Sequence, residues 1–183
     1  MAEKTLYQFK VTLRETRPPV WRRFQVHSHI TLSQFHDIVQ VVMGWTNSHP
    51  HQFRVGEAVF ATPDPDDAVK VMDERKTRLN EVLSQPKTEL IYEYDFGDEW
   101  IHDLVLESIN PCPSRGQYPV VLDGGRKCPP EDVGGAHGYQ RFLRAMRNPK
   151  DPDYEELREW WGDAPFDPEA FDPKEINETL RDI

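Results

Sequence analysis

The sequence predicts an α+β fold: a mainly antiparallel sheet of about five or six strands, packed against one helix in the N-terminal half and against C-terminal helices. Three observations predict it. Alternating or β-branched segments separated by turn residues recur through the first 110 positions, one well-signalled amphipathic helix interrupts them at 31–43, and helical patterns dominate after position 138. At 183 residues the chain suits one domain, 1–183, burying about two-thirds of its unfolded surface around a single core.

The elements follow in order. Residues 6–13 alternate polar and apolar, and after the turn-favouring Arg17-Pro18-Pro19 the run 20–26 is rich in β-branched and aromatic residues, which predicts a hairpin. Thr31, with Gln34 three residues on, forms a capping-box pattern; Leu32, Phe35, Val39 and Val42 follow at helical spacing until Gly44 stops the helix. Residues 51–55 and 58–61 read as strands joined through Gly56-Glu57. The Pro/Asp-rich stretch 62–67 reads as an exposed loop, and 78–83 as a short helix with Leu79, Val82 and Leu83 on one side. Longer strands are expected at 89–96 and 99–109. Beyond Asn110 the texture turns to Pro, Gly and Cys through CPPEDVGGAHG, a long connection of the kind that often carries function. Tyr139, Phe142, Leu143 and Met146 mark a helix starting near Gly138, capped by Asp132 or His137, whose other face carries Arg141, Arg144 and Arg147. Asp153 or its neighbours open another helix, ended by Gly162, and Asp172-Pro173 starts a last one over 174–180. The aromatic residues Trp21, Phe35, Trp45, Tyr94 and Trp100 are expected in the core or along a groove in it.

Composition excludes some functions. The formal net charge is −10, which argues against broad nonspecific nucleic-acid binding, because that depends on Lys and Arg neutralising phosphates. The charge is uneven: residues 1–54 carry seven Lys/Arg against three Asp/Glu, and 151–183 carry three against twelve. A local basic face at Arg14, Arg17, Arg22 and Arg23 therefore stays open as a protein or nucleic-acid contact. The N-terminal stretch lacks the continuous apolar run of a signal peptide or membrane span, so a cytoplasmic protein with no membrane partner is expected. Cys112 and Cys128, each beside a proline, are too few for a self-sufficient zinc knuckle and read as free thiols.

Four motifs invite chemistry. Asp95-Phe96-Gly97 matches the magnesium-binding signature of protein kinases, but the glycine-rich loop, strand lysine and catalytic loop that must precede it are missing. A hairpin with a two-residue Gly97-Asp98 turn explains the stretch, with Asp95 opposite Trp100 and Glu93 opposite His102. That register sets Glu93, Asp95 and His102 on one face, either as an ordinary turn cap and cross-strand pair or as a metal or acid–base site. In His49-Pro50-His51, alternate residues of an extended chain point the same way, which suits two metal ligands or two hydrogen-bonded histidines beside Trp45. The glycines of the 128–138 loop lack the Gly-Lys-Ser/Thr ending of a phosphate-binding loop. The arginine stripe on the helix after them suits either the acidic C-terminal segment or a phosphate backbone.

Taken together, PPVWRR (18–23), MGW (43–45) with His49-x-His51-x-Phe53, YDFGDEWIHDLVLE (94–107), CPPEDVGGAHGY (128–139) and EWWGDAPFDPEAFD (159–172) resemble the plasmid pRiA4b ORF-three-like family across nearly the whole chain. The resemblance implies kinship with bacterial and archaeal proteins, some of them carried by plasmids or insertion elements and some labelled resolvases. The nucleophilic serine amid arginines that a serine recombinase requires is not found here. Val133 stands where a cysteine often follows Glu-Asp in that family, which weakens a cysteine-based metal site.

Two functions are expected from these readings. One is a non-enzymatic binding or accessory module, linked to mobile elements, using Arg14, Arg17, Arg22 and Arg23 or a groove near His49, His51, Asp95, Trp45 and Trp100. The other is a metal-dependent enzyme of hydrolase type, in which His49, His51 and His102 hold a divalent ion and Asp95 or Asp98 orients water. The loop residues Cys128, Glu131, Asp132 and His137 are further candidates for either.

Overall fold

The structure, a computed structural model, describes residues 5–64 and 70–183. Among the described residues there are eight strands: β1 (Thr5–Leu13), β2 (Trp21–His27), β3 (His51–Val55), β4 (Ala58–Ala61), β5 (Met72–Asp73), β6 (Glu89–Tyr94), β7 (Trp100–Pro111) and β8 (Val120–Gly125). Five helices join them: α1 (Leu32–Met43), α2 (Leu79–Val82), α3 (Gly135–Met146), α4 (Tyr154–Trp161) and α5 (Pro173–Thr179). The strands form one sheet in the order β5-β4-β3-β6-β7-β1-β2-β8. The α+β class stands, but the expectation of five or six antiparallel strands does not: there are eight, and β4 and β5 pair in parallel.

Both additional strands lacked a periodic signal. β5 is two residues long, and β8 reads VVLDGG, whose closing glycines look like loop. Of the exposed loop expected at 62–67, residues 65–67 lie outside the described residues.

The core forms on one face of the sheet because β1 and β2 alternate. Phe9, Val11, Phe24 and Val26 point inward, while Lys10, Arg23 and Gln25 point outward. Helix α1 lies over the inward face, with Phe35 tilted against Phe9 at 4.8 Å between ring centroids and stacked on Phe24 and Phe53 at 6.0 and 5.9 Å. Each such fully buried aromatic contributes about 1.5–3 kcal/mol. The helix starts where Thr31 Oγ1 accepts from Gln34 N and Thr31 N donates to Gln34 Oε1, and it ends where Gly44 turns left-handed at φ 86°. Phe35, Trp45, Tyr94 and Trp100 are buried, whereas Trp21 faces outward beneath Lys10 and Arg23.

Charge is settled locally. Arg14 pairs with Asp103 and Arg23 with Glu107, so two arginines of the expected basic face are neutralised by β7. The α3 stripe is held by the start of the acidic C-terminal segment: Arg141 binds Asp153 and Glu156, and Arg144 binds Asp151 and Asp153. At the sheet margin, Asn177 of α5 accepts from Val121 N through Oδ1 and donates to Val121 O through Nδ2.

Candidate metal centre

Three loops converge on one end of the sheet. The first runs from the end of α1 into β3, the second is the β6–β7 turn, and the third leads from β8 into α3. Glu131 of the third loop accepts from Thr46 N, Thr46 Oγ1 and the Tyr94 hydroxyl, and Tyr94 in turn accepts from Ser48 N. Burial, and then the Glu131 carboxylate, push the Tyr94 pKa up, which keeps the phenol a donor. Trp45 Nε1 donates to Pro129 O, and Asp98 Oδ2 accepts from Gly134 N. The three loops are thus tied together by hydrogen bonds between named groups.

This clamp brings together His49, Asp95 and Asp132, with one ligand atom from each lying within 4.8 Å of the others. His49 Nδ1 is 3.7 Å from Asp95 Oδ2, and His49 Nε2 is 3.0 Å from Asp132 Oδ1. The second contact is not aligned as a hydrogen bond, so Nε2 has no bonded partner among the described residues. The Asp95 side chain is 11% exposed and that of Asp132 67%, which makes the cluster closed on one side and open on the other. Left-handed backbone is concentrated here: Asn47, Asp95, Glu99 and Asp132 have φ of 56°, 58°, 52° and 60°. Such conformations are costly for these residues and persist only where the surroundings impose them.

The β6–β7 turn corrects the hairpin register. Tyr94 pairs with Trp100, Glu93 with Ile101 and Tyr92 with His102, one residue away from the expected pairing. The cause is Asp95, whose Oδ1 accepts from Gly97 N and Asp98 N and whose carbonyl accepts from Glu99 N, making a five-residue loop of 95–99. A slip of one residue reverses faces, so Glu93 and His102 lie on opposite sides of the sheet.

The three histidines expected to share one ion do not meet. His102 is fully buried, its Nδ1 3.2 Å from Tyr92 O and its ring edge-on to Trp45. His51 Nε2 is 2.8 Å from Glu74 Oε2, and its ring stacks on His36 at 3.4 Å. Burial opposes the charge on Glu74, but hydrogen bonds from His51 and Thr62 outweigh it and hold the carboxyl below its usual range. His36 completes a network that sequence reasoning missed. Asn47 Oδ1 is only an acceptor, so His36 Nε2 must donate to it, and the neutral ring's Nδ1 then accepts from the Tyr92 hydroxyl, which accepts from Gln40. The signal was present: 36, 39, 40 and 43 share one face of α1.

The other candidates are also placed. Trp45 and Trp100 pack together in the core at 5.7 Å. His137 is exposed on the first turn of α3 and Asp132 precedes it in the loop; neither caps the helix, which starts at Gly135 behind Gly134. Cys112 and Cys128 are free thiols, Cys128 buried and pushed up to about 12 by that burial.

The family model for Plasmid pRiA4b ORF-3-like protein matches residues 5–175. The chain belongs to the plasmid pRiA4b ORF-3-like family. Within reach of this family, it is 35% identical over 180 residues to the uncharacterized protein y4hQ of Sinorhizobium fredii (strain NBRC 101917 / NGR234), covering 98% of this chain and 92% of that relative. It also resembles the crystal structure of MM3350, a protein of unknown function from Methanosarcina mazei Go1, with a TM-score of 0.85, 31% identity, and coverage of 95% of this chain and 98% of the other. No helix among the described residues is long and apolar enough to cross a membrane.

Proposed function

We propose that this pRiA4b ORF-3-like protein works through a divalent cation held by His49, Asp95 and Asp132, and that it is a cation-dependent binding module. The observation that carries the reading is the convergence of one imidazole and two carboxylates within 4.8 Å, delivered by three separately anchored loops. One nitrogen and two carboxylate oxygens suit Zn²⁺ or Mn²⁺ better than Ca²⁺, which takes six to eight oxygens. The exposed Asp132 side leaves coordination positions for water and for a ligand's oxygen atoms. The basic face recedes as the working surface, since Arg14 and Arg23 are paired and Arg22 is buried. A cation with open positions also suits hydrolysis, and that second reading is favoured by the exposure of Asp132, whose carboxylate oxygen left off the cation would accept a proton from water.

Titration of untagged, chelator-stripped protein with Mn²⁺, followed by electron paramagnetic resonance and calorimetry, tests the proposal. One equivalent is expected to bind. Asp95→Asn should weaken binding more than the roughly 10–100-fold typical of residues behind the ligands, while the amide still accepts from Gly97 N and preserves the turn. Neither Mn²⁺ nor Zn²⁺ binding at millimolar concentration, or an unchanged affinity in the variant, would end the proposal.

A further inference from the structure

A second feature adjoins the start of the same loop, at Lys127 and Cys128. Arg22 sits on the inward face of β2, in line with Val20, Phe24 and Val26, and is 3% exposed. Burying a guanidinium is unfavourable unless a counter-charge accompanies it. Among the described residues Arg22 has none: its hydrogen bonds run from Nε to Val42 O and from Nη1 to Trp21 O and Gly125 O, and Nη2 makes no hydrogen bond. Three carbonyl dipoles offset the desolvation in part. Burial accordingly pushes its pKa down.

This cation lines a cavity of about 490 Å³, within the range of small-molecule sites. Val42, Met43, Phe171 and Ile176 supply apolar wall, and Lys127 adds a second positive charge. The Phe171 ring lies 4.7 Å from the Arg22 guanidinium carbon. The register pairs Arg22 with Gly124, where a Cβ would come within 2.6 Å of the Phe171 ring and 2.8 Å of Arg22 Cδ. The glycine therefore permits the approach of both groups. Asp172 and Glu175 also line the cavity, which disfavours polyanions, and Arg22 forms no ion pair with either among the described residues.

We infer that this cavity is a binding site for a small organic carboxylate, whose anionic end pairs with Arg22 and whose apolar body lies against Val42, Met43, Phe171 and Ile176. A carboxylate can accept from the two N–H groups of Nη2, the nitrogen that the three carbonyls leave over, and a single charge suits a wall where Lys127 is opposed by Asp172 and Glu175. Glu175 lines the same cavity with a negative charge, so removing that charge strengthens binding.

The test uses benzoate as probe and benzamide as its neutral counterpart on the full chain. Benzoate is expected to raise the unfolding temperature and to shift the Arg22 Nε–Hε resonance, whereas benzamide does neither. Arg22→Met should weaken benzoate more than about tenfold, as loss of a charge-assisted hydrogen bond predicts, and Glu175→Gln should tighten it several-fold. Should Arg22→Met fail to fold, the Arg22 resonance in the unmodified protein and the Glu175→Gln titration decide the question. Equal responses to benzoate and benzamide, no response to benzoate in either the unmodified protein or Glu175→Gln, or undiminished binding by a folded Arg22→Met overturns the inference.

Discussion

Acidification from pH 7 to pH 5 is expected to remove roughly 4 kcal/mol of folding stability through two buried histidines. Desolvation lowers His36 to about 4 from its ordinary 6.5, with the neighbouring His51 adding to the shift, and desolvation lowers His102 to about 4 as well. Above pH 6.5 both rings are neutral folded or unfolded, and they contribute nothing to the pH dependence. Between 6.5 and 4 only the unfolded chain takes up the protons, so stability falls as pH falls, by about 2 kcal/mol per ring at pH 5. Thermal unfolding at pH 7 and pH 5 should differ by roughly 8–16 °C for a chain of this size. The structural reason differs between the two sites. A protonated His36 can no longer accept from Tyr92 and would set a charge 3.4 Å from the His51 ring, whereas His102 has no partner among the described residues for a second proton at Nε2. His102→Leu should therefore remove about half of the dependence. A flat unfolding temperature across this window would refute the assignment of neutral rings.

Gly138→Ala is expected to destabilise the protein by about 1–3 kcal/mol, the usual range for forced overpacking. The direction is the unusual part. Alanine normally stabilises a helix by about 1 kcal/mol over glycine, and position 138 lies within α3. Here the added Cβ would fall 2.0 Å from the Val133 carbonyl oxygen, so the loop and the helix must separate. Because Val133 follows Asp132, the same substitution should weaken Mn²⁺ binding as well. Thermal melts and the Mn²⁺ titration check the two effects together, and a variant as stable as the parent would show that the loop yields freely.

Much of this architecture was legible because it is periodic. The β1–β2 alternation and the α1 capping box are local signals, and the structure places both elements within a residue of where the sequence put them. Parity along β2 even held the fate of Arg22: it shares a face with Val20, Phe24 and Val26, although a cluster of four arginines suggested a surface. The hairpin register was lost because it depended on one residue, Asp95, adopting a left-handed conformation and lengthening the turn. The candidate metal cluster was only partly visible. His49, Asp95 and Asp132 lie on loops far apart in sequence, and no periodicity reports that Glu131 and Asp98 tie those loops together. Glu74, the partner of His51, was hidden for the same reason.

The Asn177 side chain has a bearing on how this protein meets others. An outermost strand normally offers a row of free amides and carbonyls on which a second chain can assemble, with aggregation as the frequent result. One margin of this sheet has a residue near the start of β8, Val121, occupied in both directions by an amide that imitates a neighbouring backbone, and the other margin among the described residues, β5, is only two residues long. Strand addition is thereby hindered at Val121 and has little edge to use at β5. That leaves the loops and outward side chains as the larger surface this fold offers a macromolecule.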